Sequence, residues 1–211
     1  MRKLYWRWLS IGLVILIWMM AMAMYGRMPE IMVTHWGLRG EPNGYMGRFW
    51  GVMMLPILTT VINVGMRWGV RLDPKRKEIE KQMAAYERFI FFMCLFFVFI
   101  FLLVIGWNVG WVFDMGKMMV VGLAVLFWET GRLVGRVNPN YTIGIRTPWT
   151  LASDEVWKKT HTFGSRAFRV AAVLGLIGLV DGDRVFWWMI LPILVVSVVM
   201  VVYSALIYHK K

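Results

Sequence analysis

The stretch "FIFFMCLFFVFIFLLVIGW", residues 89–107, contains no charged residue and no proline. A membrane-spanning helix needs about 20 mostly apolar residues, because the hydrocarbon core is roughly 30 Å thick and each helical residue rises about 1.5 Å. The stretch therefore predicts a transmembrane helix. With 59% hydrophobic residues and a mean hydropathy of +0.60, the 211-residue chain has the composition of an integral membrane protein.

Five further apolar runs lie on either side of this stretch, so the predicted fold is an all-α bundle of six transmembrane helices. The first run is too long for a signal peptide and is followed by no small-residue cleavage pattern, so we interpret it as a permanent anchor. The fifth is short, and it crosses only if its helix ends lie at the interface or the bilayer is locally thin. The six predicted spans are 8–25, 49–69, 89–107, 116–134, 168–181 and 185–208.

The net charge of +12 could indicate nucleic-acid binding, so its distribution matters. If both termini are cytoplasmic, 19 of the 24 Lys and Arg residues lie on the cytoplasmic side. That asymmetry is the positive-inside rule, and it explains the charge without DNA or RNA. We predict a multi-pass plasma-membrane protein that contacts the bilayer and does not bind nucleic acid directly.

Residues 1–70 are predicted to form a first unit, two spans joined by the outer loop 26–48. The Asn43-Gly44 pair in this loop favours the positive φ angles of a tight hairpin turn. His35, with Glu41 nearby, offers groups that bind metal ions or titrate near neutral pH. A single His is more often a structural hydrogen-bonding residue, so no metal or cofactor is predicted.

The inner loop 71–88 is predicted to be a polar helix after Pro74. Glu78 and Glu80 stand one helical turn from Lys81 and Lys77, which favours partial charge pairing. We interpret this loop as solvated structure or a contact with anionic lipid.

Residues 89–211 complete the prediction with four spans, and they include the inner loop 135–168. Asn138-Pro139-Asn140 is expected to end the fourth helix, because proline lacks an amide donor and forces its predecessor out of helical geometry. Pro148 likewise predicts an extended Thr147. Ser153 can then cap a basic amphipathic helix that lies on the inner membrane surface and leads into the fifth span.

Two motifs resemble those of the SdpI family of bacterial toxin-immunity membrane proteins. They are "NYTIGIRTPWTLASDEVWKKTHTFGSRAF", residues 140–168, and "MPEIMVTHWGLRGEPNGYMGR", residues 28–48. The resemblance implies immunity to, or sensing of, a membrane-active peptide, with the toxin on the outer face and a cytoplasmic regulator on the inner face.

The candidate recognition residues fall into two sets. The outer-loop set is His35, Trp36, Gly40, Asn43 and Gly44. The cytoplasmic-loop set is Asn140, Gly144, Arg146, Thr147, Pro148, Trp149, Thr150, Trp157 and His161.

Arg146 and Trp149 leave two interpretations open. A guanidinium beside an aromatic side chain is common at binding hot spots. Equally, Trp149 could belong to the interfacial aromatic belt while Arg146 binds lipid phosphate or caps a helix end.

Glu129 and Arg132 lie one turn apart in the fourth span, where ionisable residues often mark a transport pathway. The simpler interpretation is an intrahelical ion pair near the interface. Transport through these two residues is the alternative function.

A membrane-surface hydrolase using His35 and Glu41 is the third, less favoured function. Because the chain lacks a nucleophile elbow, a phosphate-binding Gly loop and a two-His zinc motif, no enzyme activity is predicted.

Overall fold

The computed structural model describes residues 2–37, 40–181 and 184–210 as a helical bundle with one β-hairpin. Leu38 and Arg39, in the predicted outer loop, lie outside the described residues. The elements are α1 (Arg2–Tyr25), β1 (Ile31–Trp36), β2 (Pro42–Gly47), α2 (Arg48–Leu72), α3 (Arg76–Glu80), α4 (Met83–Asn108), α5 (Met115–Val134), α6 (Pro148–Ala152), α7 (Asp154–Ile177) and α8 (Val185–His209).

Long helices cover five of the six apolar runs completely. The fifth run, 168–181, is helical only as far as Ile177, where α7 ends. Four of the helices in the described residues are long and apolar enough to cross a membrane: α1, α2, α4 and α8. The other two carry more charge. Helix α5 contains Lys117, Glu129 and Arg132, and α7 begins with a polar half. Four candidate spans are therefore established by length and composition, and crossing by α5 and α7 stays a prediction.

The hairpin corrects the prediction of an all-α fold and also moves the predicted turn. β1 and β2 pair antiparallel, but Asn43 and Gly44 lie within β2 rather than at the turn. The positive φ falls on Gly40, at 81°. Gly44 is needed for a different reason, because an added Cβ would lie 2.7 Å from the Cβ of His35 on the opposite strand. Irregular strand register beside His35 places the two residues face to face.

The inner loop 71–88 is not the single polar helix that was predicted. Helix α2 continues to Leu72, the short α3 follows, and α4 already begins at Met83. Lys81 pairs with Glu78 at 2.6 Å as expected. Glu80 instead pairs with Arg76, one turn earlier in α3, at 2.6 Å.

Helix α5 (Met115–Val134) matches the fourth predicted span, 116–134, but the residues that end it are not the predicted ones. Helix α5 stops at Val134 rather than at Asn138-Pro139-Asn140, because the chain tightens at Gly135. There the Arg136 N–H bonds the Leu133 carbonyl, a three-residue step. The proline-containing stretch that follows is irregular structure.

Helix α7 contains both the predicted amphipathic helix and the fifth apolar run as far as Ile177. The basic amphipathic helix and the fifth apolar run form one continuous helix from Asp154 to Ile177. Ser153 caps its start, as predicted, because its Oγ accepts a hydrogen bond from Val156 N. An additional short helix, α6, begins at Pro148, directly after an extended Thr147.

The bundle has two ends, which we call the hairpin end and the motif end. The hairpin packs over α1, α2 and α4, with Met28 and Met32 buried among their side chains. At the motif end a second core cluster joins α2, α3, α4 and α5 to Ile143 and Trp157. Both chain termini lie at the motif end, where Lys3 shares a cavity with Arg71 and where Ser204 contacts Thr147. The most extensive helix contacts are α5 with α7, α1 with α4 and α7 with α8.

Candidate functional site

Residues 137–153, which connect α5 to α7 and include the short helix α6, form the motif segment. Asn140 organises its first turn and is only 2% exposed. Its Oδ1 accepts hydrogen bonds from Thr142 N at 2.9 Å and Ile143 N at 2.6 Å. Its Nδ2 donates to the carbonyls of Asn138 and Ile143. The amide is thus fully used inside the protein and shapes the chain rather than contacting a ligand.

Gly144 lies directly against α7. Its φ of 114° is in the region that favours glycine, and an added Cβ would overlap the ring of His161 and approach Trp157. The Trp157 and His161 rings stack with their centroids 3.9 Å apart, and Trp157 Nε1 donates to the Val137 carbonyl at 2.9 Å. The two aromatic side chains of α7 therefore form the surface on which the motif segment rests.

His161 is held in one neutral form. Its Nδ1 lies 2.8 Å from the Trp157 carbonyl, which can only accept, so Nδ1 carries the proton. Its Nε2 accepts from Ile145 N at 3.0 Å. Burial lowers the pKa of His161 to about 4, with the hydrogen bond to the Trp157 carbonyl acting in the opposite direction. At neutral pH the ring is thus a structural hydrogen-bonding group.

Thr147 and Thr150 fix the second half of the motif segment. Each hydroxyl caps the other residue's backbone N–H at the start of α6, the arrangement known as a capping box. Thr150 Oγ1 also donates to the Ile145 carbonyl at 2.9 Å. The Thr147 hydroxyl lies 2.9 Å from Ser204 Oγ, so the segment is bonded to α8 as well.

Asp73, at the end of α2, ties the motif segment to the first half of the chain. Its carboxylate accepts from Thr142 Oγ1 at 2.6 Å, Tyr141 N at 2.9 Å and Lys75 N at 2.7 Å. The residue is 6% exposed. Nothing in the local sequence pattern pointed to Asp73 as a site residue.

The outward-facing residues of the motif segment are few. Arg146 is exposed, and its Nη1 donates to the Tyr141 carbonyl at 2.6 Å. Pro148 and Leu151 are also exposed, and Trp149 is half-buried. Arg146 borders a mostly apolar cavity of about 470 Å³ between α2, α4 and α5. Tyr141 and Ala152 are exposed as well, whereas the remaining predicted residues of this set make contacts within the protein.

The predicted outer-loop residues all lie in the hairpin, but they make different kinds of contact. His35 Nδ1 bonds Asn43 Oδ1 across the strands. Trp36 packs edge-to-face on Trp107 of α4, with centroids 5.6 Å apart. Gly40 makes the turn. Within the described residues, no three His, Cys, Asp or Glu side chains lie close enough to hold a metal ion.

Asn108, at the end of α4, anchors the hairpin and was not predicted. Its Oδ1 accepts from Val33 N and its Nδ2 donates to the Val33 carbonyl, both at 2.9 Å. The side-chain amide thus pairs with β1 in the way a neighbouring strand would. A proline at position 33 would remove the N–H that bonds Asn108 Oδ1.

Glu129 is 5% exposed, and its principal partner lies on another helix. Both carboxylate oxygens accept from Arg88 of α4 at 2.8 Å, a bidentate pair. The predicted intrahelical partner, Arg132, is 3.8 Å away. Arg88 also lies over the rings of Trp6 and Phe92. The interaction therefore joins α4 to α5 and reaches α1.

A second ion pair lies between α2 and α4. Arg67 donates to Glu87 through Nε and Nη2, with a shortest distance of 2.6 Å. Its remaining donors reach Asn63 and Ser10 of α1. Glu87 is 4% exposed. Buried charges are expensive unless paired and hydrogen-bonded, and here every partner is supplied by the bundle itself.

Comparison with known proteins agrees with the two sequence motifs. The model of the SdpI/YfhL protein family matches residues 136–204. A domain of unknown function, DUF1648, matches residues 12–60. The chain is also 20% identical over 204 residues to the protein named "Immunity protein SdpI" of Bacillus subtilis (strain 168), which covers 96% of this chain and 95% of that protein. The chain is thus similar to the SdpI family over residues 136–204 and to one of its named proteins along nearly its whole length. No solved structure matches it significantly.

The two matched regions correspond to separate structural parts. Residues 12–60 cover most of α1, the hairpin and the first half of α2, while residues 136–204 cover the motif segment, α6, α7 and most of α8. The polar residues that sequence reasoning missed lie between these two regions: Asn63, Arg67, Asp73, Glu87, Arg88 and Asn108. They connect the parts that carry the motifs.

Proposed function

We propose that this protein is a membrane-embedded immunity or sensing protein that binds a membrane-active peptide toxin. The observation that carries the proposal is the similarity to Immunity protein SdpI, which extends over 96% of this chain and 95% of that protein. Similarity along both chains favours a shared role more than a match to one motif would. The structure adds two surfaces, at opposite ends of the bundle, where ligands could bind.

In the proposed topology all six long helices cross the bilayer and both termini are cytoplasmic. The alternation of helices places the termini and the motif segment at one end and the hairpin at the other. The excess of Lys and Arg at the motif end makes that end the cytoplasmic one by the positive-inside rule. The hairpin then faces the outside, where a secreted peptide arrives.

The toxin-binding surface of the proposal is the hairpin with the start of α2. Ile31, Tyr45, Phe49 and Trp50 expose between 53% and 69% of their surface there. Exposed aromatic and apolar groups beside the polar pair of His35 with Asn43 suit a peptide that is itself amphipathic. A membrane-active peptide has that chemistry because it must partition into the interface.

The inner surface of the proposal is the exposed part of the motif segment, centred on Arg146 and Trp149. A cytoplasmic protein would meet an exposed guanidinium and a half-buried tryptophan, two residue types that are enriched at binding hot spots. Toxin binding would favour one of two packings of the bundle and change how far this surface is exposed. If accessibility of cysteines introduced at 146 and 149 stayed the same with and without bound toxin, the signalling part would be wrong.

Survival of toxin-sensitive cells tests the immunity part. The wild-type protein is expressed beside His35→Ala and Arg146→Ala under a panel of membrane-active peptides. Lys158→Ala is the matched control for Arg146→Ala, because it removes an exposed cation from the same end of the bundle. We expect wild-type protein to protect, His35→Ala to lose protection and Lys158→Ala to retain it. No protection by well-expressed wild-type protein against any peptide would refute the proposal.

Transport is the second candidate function, favoured by the ionisable groups buried within the helices. Glu129 and Glu87 are each at most 5% exposed and each pairs with an arginine of a neighbouring helix. Exchange of such partners is one way to couple an ion to a conformational change. Flux in proteoliposomes that is lost in Glu129→Gln would support transport, and absence of any flux would leave the binding function as the proposal.

A further inference from the structure

A basic cavity of about 330 Å³ lies at the motif end, between the start of α1, the end of α2, α3 and the start of α4. Two of the arginines on its wall are already paired, Arg67 with Glu87 and Arg76 with Glu80. The other three cations, Lys3, Arg7 and Arg71, form no ion pair with any acidic residue that the structure describes. The cavity therefore concentrates uncompensated positive charge.

The basic cavity continues into an apolar groove. A second cavity of about 360 Å³ runs between α1 and α2, and it shares Arg7, Arg67 and Arg71 with the first. Its other walls are mainly apolar, including Ile15 and Val64. From Arg7 to Ile15 the groove follows α1 for about 12 Å. The two adjoining cavities form a depression with cations at one end, its mouth, and apolar side chains along its length.

Aromatic residues place the mouth of this depression at the membrane surface. Tyr5, Trp8 and Trp68 are 60%, 66% and 62% exposed, and Trp68 lies on the wall of the groove. Exposed Trp and Tyr residues concentrate at the level of lipid headgroups. The cations therefore stand at headgroup depth, and the groove extends from them toward the middle of the bilayer.

We propose that this depression is a binding site for an anionic phospholipid of the leaflet on the side of the chain termini. Its phosphate would lie against Lys3, Arg7 and Arg71, since guanidinium groups bind phosphate oxygens in bidentate fashion. One acyl chain would occupy the groove between α1 and α2. A free phosphate ion fits the mouth but leaves the groove empty, whereas a zwitterionic lipid brings its own cation into a site that already has an excess of positive charge. This site does not depend on the proposed immunity function.

Lipid retention by the purified full-length protein tests the proposal. The protein in a neutral detergent is titrated with dioleoyl phosphatidylglycerol, dioleoyl phosphatidylcholine or inorganic phosphate, and bound molecules are counted by native mass spectrometry. We expect phosphatidylglycerol to be retained over phosphatidylcholine. The double variant Arg7→Gln/Arg71→Gln should lower that retention roughly tenfold or more, because each cation near a headgroup contributes substantially to binding.

Two further variants make the test specific. Lys158→Gln/Arg166→Gln removes the same charge from exposed positions on α7 and should leave retention unchanged. Val64→Trp fills the groove at an exposed position and should lower phosphatidylglycerol binding without changing phosphate binding. Equal retention of the two lipids, or equal losses in both double variants, would overturn the proposal. So would phosphatidylglycerol binding that is insensitive to Val64→Trp, because the groove would then hold no acyl chain.

Discussion

Replacing Asp73 by alanine should loosen the motif segment from α2. The carboxylate accepts three hydrogen bonds, from Thr142 Oγ1, Tyr141 N and Lys75 N, at 2.6–2.9 Å. A hydrogen bond to a charged group contributes about 1.5–3 kcal/mol, and water replaces part of each bond in the variant, so we expect a total loss of about 2–4 kcal/mol. For a chain of this length that corresponds to a fall in Tm of roughly 5–15 °C.

The assay uses Cys94, the only cysteine in the sequence, which is fully buried in α4. A thiol-reactive fluorophore reports its exposure as the purified protein is heated in detergent. Hydrogen exchange of the amides of Tyr141 and Thr142 reports local release of the segment. Glu80→Ala is the matched control, because it removes a nearby carboxylate whose pair with Arg76 is exposed and should contribute less than about 1 kcal/mol. If Asp73→Ala changed neither the melting curve nor the local exchange more than this control, the reasoning would be refuted.

Further predictions concern the other contacts that hold the two surfaces. Gly144→Ala should cost about 1–3 kcal/mol, read in the same melting assay, because its φ is 114° and the added Cβ meets His161. Since burial lowers the pKa of His161 to about 4, stability should be complete above pH 6.5 and fall as the pH drops from 6.5 toward 4, and a His161→Gln variant should lose this slope in a pH series. Asn108→Ala should speed amide exchange of the hairpin by roughly tenfold while leaving the helices protected. Arg88→Ala should cost about 3 kcal/mol by leaving the buried Glu129 with only the more distant Arg132 as a partner, with part of the loss recovered when Glu129→Ala is added.

The helices could be predicted from the sequence because their signals are local. The run at 89–107 lies within α4, Ser153 starts α7, and Pro148 keeps Thr147 extended as its ring requires. These features depend on neighbours within a few residues along the chain. Sequence periodicity and cap chemistry therefore sufficed for them.

The ties between segments could not be predicted in the same way. Tyr141 stands 68 residues from Asp73, and Arg88 stands 41 residues from Glu129. A single sequence shows which charges exist but not which of them meet. The sequence therefore favoured Arg132, one turn away on the same helix, as the partner of Glu129. In the structure Arg88 lies closer to Glu129 than Arg132 does.

The position of the hairpin turn was predicted wrongly, because the pairing of the two strands outweighs the local preference of Asn43-Gly44 for a turn. Asn-Gly pairs favour a two-residue turn, but here the pairing of the strands places Asn43 beside His35 and Gly44 opposite it. Gly40 then supplies the positive φ that the turn needs. Packing of β1 on Asn108 fixes this register, and that contact is 75 residues distant in the sequence.

Helix α7 extends from the motif segment along the length of the bundle. It runs without proline from Asp154 to Ile177, about 36 Å, whereas α2 and α8 contain Pro56 and Pro192. If a helix of that length tilts as one unit by about 10°, one of its ends moves by roughly 6 Å relative to the other. A displacement of the apolar end of α7 would therefore move the stacked rings of Trp157 and His161 beneath the motif segment without any change in secondary structure.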